Sequence, residues 1–282
     1  MTDAEFENNK YEPKCSLNSL RLKLKNFPEK TESQAELVRY IMDGTHVCGA
    51  IGDPGTGKTS ISLYAAFKRL FCPNNNIRKV LILRSPISTA SIGHLPGTIE
   101  EKEQPFNIYR DMINNLFHGE KPFYNLVKNG FLEFRTVTHE QGKTYNETFA
   151  LLDEIGNCTF EQVDLIITRI GQDSQLVCAG DAVQSYLGSA SKSGIHNFLE
   201  MGVIAENEEP ELDIGLSNDH LSAQHWLKIV YFDGSKKVVR NPFLVKYLDA
   251  RKKLFLEKEA NKNQQPKSIN KFLLNVDIGQ KS

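Results

Sequence analysis

Apolar residues in this chain fall either in short continuous runs or in longer stretches where they recur every three or four positions. The runs are THVCGAI at 45–51, KVLILRS at 79–85, GFLEFRTV at 130–137, TFALLDE at 148–154, SQLVCAG at 174–180 and HWLKIVYF at 225–232. They are short and rich in β-branched residues. Several are apolar at consecutive rather than alternate positions, which predicts strands buried on both faces. The intervening periodicity predicts helices over 57–70, 105–117, 160–170, 192–201 and 242–255, with Pro105 and Pro242 suited to first-turn positions. Thr31 and Gln34 stand at capping-box spacing before an apolar stripe of Leu37, Val38 and Ile41, so a further helix opens there. Strands alternating with helices predict an α/β fold: a mostly parallel sheet with helices on both faces.

The flanks differ from this middle. Residues 1–14 are polar and read as a tail, and Leu20, Leu22 and Leu24 alternate with Arg21, Lys23 and Lys25 as in an edge strand. The expected organisation is a tail and edge strand at 1–30, one domain at 31–255 and a polar tail at 256–282, within which Phe272 to Val276 form a short apolar segment. The stretch between Met201 and His225 is acidic and reads as a solvated loop.

Composition narrows the function classes. With 282 residues, 40% hydrophobic and 24% charged, the chain has the make-up of an ordinary globular protein, which excludes wholesale disorder. A formal net charge of -1 does not by itself call for nucleic acid, so any such contact must be a local patch. The densest basic stretch runs from Lys228 to Lys253, with eight basic residues against Asp233 and Asp249; it reads either as a phosphate-backbone contact or as a solvated face. Five scattered cysteines without a C-x-x-C pair argue against both a disulfide framework and a zinc site. The start of the chain has no apolar signal-like region, and no run approaches the ~18 apolar residues of a membrane span. A cytoplasmic location with no membrane partner is expected.

The strongest chemical signal is Gly52-Asp53-Pro54-Gly55-Thr56-Gly57-Lys58-Thr59, which matches G-x-x-x-x-G-K-[ST] between a predicted strand and a predicted helix. Glycines let the backbone curl around phosphate oxygens and present its N–H groups at the positive end of the helix. Lys58 supplies a charge for the β and γ phosphates of ATP, and Thr59 supplies a hydroxyl to Mg2+. Ser60 completes the phosphate-binding stretch. A second signal is the apolar strand that delivers Asp153 and Glu154 at its C-terminal end, the edge where parallel sheets bind ligands. Asp153 suits the Mg2+ shell, and Glu154 suits orientation and deprotonation of an attacking water, which favours hydrolysis over transfer to a second substrate. Downstream, LVCAGDAVQ repeats an apolar strand ending in Gly180 and Asp181, and Gln184 is placed either to contact the γ phosphate or in a plain turn.

In their order these motifs resemble the PhoH-like ATPases, relatives of the nucleotide-binding half of superfamily 1 helicases. The resemblance runs from about Thr31 to Lys253, through GDPGTGKT (52–59), Arg84-Ser85-Pro86, LPGTIEEK (95–102), Gly142-Lys-Thr144, LLDE (151–154), Thr168-Arg-Ile-Gly171, AGDAVQ (179–184), Lys192-Ser-Gly194 and VVRNP (238–242). It implies a RecA-like P-loop core, ATP hydrolysis, and a homo-oligomeric ring, hexameric, acting on RNA or single-stranded nucleic acid. It also implies that Arg84, Ser85 and Pro86 lie towards the nucleic acid and that Arg240 is an arginine finger, working in its own subunit or across to a neighbour. Gln34 resembles the adenine-reading glutamine of such helicases, a reading that stands beside its capping role. Fewer than 100 residues follow Gln184, too few for a second lobe of about 150 residues, which favours a finger acting in trans. There is likewise no room for a nuclease domain. One departure is visible: where the family has Asp-Glu-Ala-Gln, this chain has Asp153-Glu154-Ile155-Gly156, so the amide that could couple nucleotide to nucleic acid is missing. The alternative function is therefore a nucleotide-dependent scaffold or switch acting on a protein partner.

Overall fold

The computed structural model describes residues 15–73, 75–85, 107–140, 142–181, 193–207, 211–212, 223–224, 226–234, 246, 247 and 250. Its centre is a six-stranded sheet of β1 (Val47–Gly52), β2 (Lys79–Arg84), β3 (Leu132–Thr136), β4 (Thr148–Asp153), β5 (Gln175–Gly180) and β6 (Leu227–Phe232). The spatial order is β6-β1-β5-β4-β2-β3, and every neighbouring pair is parallel. Five lie inside the apolar runs that predicted them, and β1 extends one residue past its run, to Gly52.

Side-chain parity explains why the runs of the inner strands β1, β5, β4 and β2 are apolar at successive positions. Cys48, Ala50, Val80, Ile82, Phe149, Leu151, Val177, Ala179, Val230 and Phe232 belong to one core. Their alternates Val47, Ile51, Leu81, Leu83, Ala150, Leu152, Leu176, Cys178, Leu227 and Ile229 belong to the other. Successive residues point to opposite faces of a sheet, so a strand covered on both sides needs apolar residues at both parities. The first face is covered by α1 (Glu32–Met42), α2 (Lys58–Leu70), α3 (Asn107–Leu116) and α4 (Pro122–Lys128). The second is covered by α5 (Phe160–Ile167) and α6 (Ile195–Asn207). The five cysteines are free thiols. No described helix is long and apolar enough to cross a membrane.

Four local expectations change. The alternation at 20–25 gives no edge strand of the main sheet: Leu17–Leu20 is a 3-10 turn, Arg21 turns left-handed at φ 51°, and only Lys23–Leu24 pairs, antiparallel, with Phe117–His118. The alternate leucines instead pack on the first core. Helix α4 was not anticipated, because seven residues are too few to show a period. Helix α6 runs past the expected end at Met201 to Asn207, since Gly202 does not break it. A Cβ at Gly202 would run into the side chain of Ile229, so the glycine admits close packing of α6 on β6. Part of the acidic stretch is also ordered, with Glu211–Leu212 pairing antiparallel with Ala223–Gln224. The expected tails lie outside the described residues, as does the helix at 242–255 except for Lys246, Tyr247 and Ala250, which are helical.

The β3 edge is fastened by charge. Glu133 pairs with Lys79 at 3.3 Å and with Arg135 at 2.7 Å. Glu140 accepts from Arg135 at 3.1 Å, Lys143 at 3.0 Å and the Tyr145 hydroxyl at 2.7 Å, and its side chain is only 1% exposed. Burial alone would push the Glu140 carboxyl up, but hydrogen bonds from Tyr145, Lys143 and Arg135 hold it below its ordinary value. A carboxyl depressed in the folded state contributes stability above its unfolded value and loses that contribution as pH falls through the folded one. Glu140→Gln is expected to lower the unfolding free energy at pH 7 by about 2 kcal/mol, read as a reduced urea midpoint. The gap between variant and parent should narrow as pH drops below ~4.

Candidate functional site

The loop between β1 and α2 is held from within. Gly52 has φ 149°, and a Cβ there would collide with the Phe232 carbonyl oxygen at the end of β6. The same carbonyl accepts from the Asp53 N–H at 3.0 Å, while Asp53 Oδ2 accepts from the Gly234 N–H at 2.9 Å. The Thr56 hydroxyl donates to the Asp53 carbonyl at 2.8 Å. Gly55 and Gly57 take left-handed φ values of 80° and 87°. Helix α2 then begins at Gly57 without any capping side chain, so the first-turn amides of Lys58, Thr59 and Ser60 are not taken up by a cap. Lys58 Nζ folds back and donates to the carbonyls of Gly52 at 2.9 Å and Asp53 at 2.7 Å. Burial pulls its ammonium below the ordinary value, against the pull of the carboxylates of Asp181, Asp153, Glu154 and Asp53.

Asp53 belongs to the loop itself, and the other three carboxylates arrive from the neighbouring strand ends. Asp153 closes β4, in register with Ala179 of β5 on one side and Arg84 of β2 on the other. The Thr59 hydroxyl donates to Asp153 Oδ1 at 3.1 Å, and the buried Tyr109 hydroxyl donates to Oδ2 at 2.7 Å. Burial and the charge of Asp153 hold the Tyr109 phenol well above its ordinary value, so it stays a neutral donor. Glu154 leaves the strand in a left-handed conformation, φ 59° and ψ 45°, of the kind that concentrates at functional sites. Burial, then the charge of Asp153, raises its carboxyl, while Arg84 and Lys58 oppose the rise. Asp181, 6% exposed, follows β5 directly. A hydroxyl and a carboxylate are the hard oxygen donors that Mg2+ requires, and a loop of open amides beside a lysine is a phosphate cradle. The residues therefore fit a nucleotide with its cation.

The remaining expected residues divide. Gln34 is buried, and its backbone N–H donates to the Thr31 cap at 3.3 Å. Its side chain does not close the box on Thr31: Oε1 accepts from the Lys30 N–H and Nε2 donates to the Thr56 carbonyl, both at 2.8 Å. Arg84 and Ser85 lie at the end of β2, with the Arg84 guanidinium 5.9 Å from the centre of the Tyr109 ring and Ser85 only 3% exposed. Gly156 is buried in the turn after Glu154, and its carbonyl accepts from the Ser193 hydroxyl at 2.9 Å. Pro86, Gln184 and Arg240 lie outside the described residues. Two residues at this edge were not singled out as site residues. Asp181 was visible as the acid after an apolar strand, whereas Tyr109 reads only as one member of a helical apolar stripe.

Comparison with known proteins agrees with this picture. Residues 27–212 match the family described as PhoH-like protein. The PhoH-like protein of Bacillus subtilis (strain 168) is 30% identical over 202 residues, covering 71% of this chain and 61% of that protein. The PhoH-like protein of Mycobacterium tuberculosis (strain ATCC 25618 / H37Rv) is 31% identical over 189 residues, 66% of this chain and 52% of that protein. Protein PhoH of Escherichia coli (strain K12) is 27% identical over 175 residues, 61% of this chain and 48% of that protein. This chain thus spans about half to three fifths of the length of these curated relatives.

The hydrogen bond from the Gln34 amide to the Thr56 carbonyl braces the phosphate loop. A brace and a base reader respond differently to substitution. Gln34→Ala is expected to weaken ATP, GTP and inorganic triphosphate alike, by about 3- to 10-fold for one lost buried hydrogen bond, measured by isothermal titration. A loss confined to ATP would instead assign the side chain to the adenine.

Proposed function

The chain belongs to the PhoH-like protein family, and we propose that it is a Mg2+-dependent ATPase whose hydrolytic edge is formed by Lys58, Thr59, Asp153 and Glu154. The observation that carries this reading is the 3.1 Å hydrogen bond between the Thr59 hydroxyl and the Asp153 carboxylate. These side chains come from positions 94 residues apart, and they meet beside a helix start that no side chain caps.

In this reading the amides of Gly55 to Ser60 cradle the phosphates, and Lys58 exchanges its two carbonyl partners for the β and γ phosphates. Thr59 and Asp153 hold Mg2+, which when bound offsets negative charge on the phosphate oxygens. Glu154, one residue beyond the strand, orients a water and takes its proton; its raised carboxyl is a stronger base than an ordinary glutamate. Gln184 contacts the γ phosphate, and Arg240 acts as an arginine finger between subunits of a homo-oligomeric ring, hexameric, that works on RNA or other single-stranded nucleic acid. A second reading, a nucleotide-controlled switch on a protein partner, draws support from two observations. Ser85 is buried, and Gly156 stands where the family has glutamine.

Glu154→Gln is expected to retain ATP binding and to cut turnover by about 10²-fold or more, the usual effect of removing a positioned base, measured by phosphate release. Near-normal turnover would remove Glu154 from the role. Single-stranded RNA at low salt should stimulate the parent, with the stimulation fading as salt rises; a rate indifferent to RNA under both conditions would favour the protein-partner reading. Mixing Arg240→Ala with Glu154→Gln subunits should restore part of the activity if the finger acts in trans.

A further inference from the structure

Tyr109 occupies a position that packing alone would fill with phenylalanine. It stands with Ile113 and Leu116 on the buried stripe of α3 and is 0% exposed. Its ring lies 5.9 Å from that of Phe134 and 5.9 Å from the Arg84 guanidinium. Burying a hydroxyl in such a place is unfavourable unless it is hydrogen-bonded. Its bond is to Asp153 Oδ2 at 2.7 Å, and both partners are buried.

We propose that Tyr109 is a positioning residue for the metal-holding carboxylate: its hydroxyl fixes the rotation of Asp153 so that Oδ1, and not Oδ2, is presented to Thr59. The inference rests on the preceding assignment of Thr59 and Asp153 to the cation. A carboxylate at a strand end can rotate about its last bond and offer either oxygen. The short bond from Tyr109 occupies one oxygen and leaves the other 3.1 Å from the Thr59 hydroxyl. The ring cannot swing away without disturbing its contacts with Phe134 and Arg84. Mg2+ demands near-ideal octahedral geometry, so a pre-oriented oxygen matters more to it than to a permissive ion.

The test uses the full chain, its Tyr109→Phe variant and its Asp153→Asn variant. Mn2+ binding in the presence of ADP is followed by electron paramagnetic resonance, and fluorescent ADP binding is followed in EDTA. Tyr109→Phe is expected to weaken Mn2+ binding about 10-fold, the usual effect of losing a group that orients a metal ligand, while metal-free nucleotide affinity stays unchanged. The Mg2+ concentration giving half-maximal turnover should rise in parallel, with kcat recovering at saturating Mg2+. Unchanged Mn2+ affinity would overturn the proposal. So would an equal loss of metal-free nucleotide binding, which would mark Tyr109 as a packing residue only. If Asp153→Asn binds Mn2+ as the parent does, the cation assignment fails and this inference with it. If Asp153→Asn loses Mn2+ and Tyr109→Phe does not, the role of Tyr109 alone is refuted. Thermal melting checks the fold of each variant. Should Tyr109→Phe not fold, Tyr109→Met also removes the donor, refills the space, and is judged by the same readouts.

Discussion

Four carboxylates, Asp53, Asp153, Glu154 and Asp181, all act on the Lys58 ammonium at the C-terminal edge of one parallel sheet, and the crowding of these charges governs the site. Two unit charges 4 Å apart interact by about 4 kcal/mol at the effective dielectric of a protein surface, so such a cluster is costly unless positive groups accompany it. Lys58 and Arg84 supply part of the compensation, which is why both oppose the rise of the Glu154 carboxyl. A triphosphate would bring further negative charge to the same edge. Binding it requires the open amides of the α2 start and a divalent cation between phosphate and carboxylate. The surplus of acids thus favours a ligand that arrives with its own counter-ion.

The topology sets the distances. Strands β1 and β4 are not neighbours: β5 runs between them. At ~4.8 Å per strand their backbones stand about 10 Å apart, so the two strand ends can meet only through side chains. The Thr59 and Asp153 side chains close that gap from both sides. The intervening strand ends at Gly180 and is followed directly by Asp181, so an acid also stands at the strand end between them. At the other flank, β6 holds the loop through the Phe232 carbonyl and the Gly234 amide. The phosphate loop is therefore shaped by its neighbours before any ligand is present.

How much of this was legible follows from the range of each interaction. The four inner strands were readable because burial on both faces leaves a nearly uninterrupted apolar run, and the loop was readable because its glycines take a backbone conformation that other residues rarely adopt. Asp153 and Glu154 were readable because a strand end is a fixed address in a parallel sheet. Tyr109 was not, since nothing near it in sequence distinguishes a tyrosine that bonds a carboxylate 44 residues away from one that merely fills a core. Gln34 was half readable: its capping position is local, but the partner of its amide is Thr56, 22 residues on. The true end of α6 was not readable, since a glycine such as Gly202 in a helical pattern marks either an end or a close approach, and only the position of Ile229 decides between them.

Arg84 shows how one residue can answer to two pressures. Motif order places it with the residues expected to face nucleic acid, yet its register partner on β4 is Asp153 and its guanidinium stands over Tyr109. Its charge lowers the Glu154 carboxyl and also lowers the Tyr109 phenol, opposing the larger effect of burial in each case. The end of β2 and the proposed base are thus linked by charge, and Tyr109, bonded to Asp153 and beside Arg84, lies where that charge meets the packing of the core.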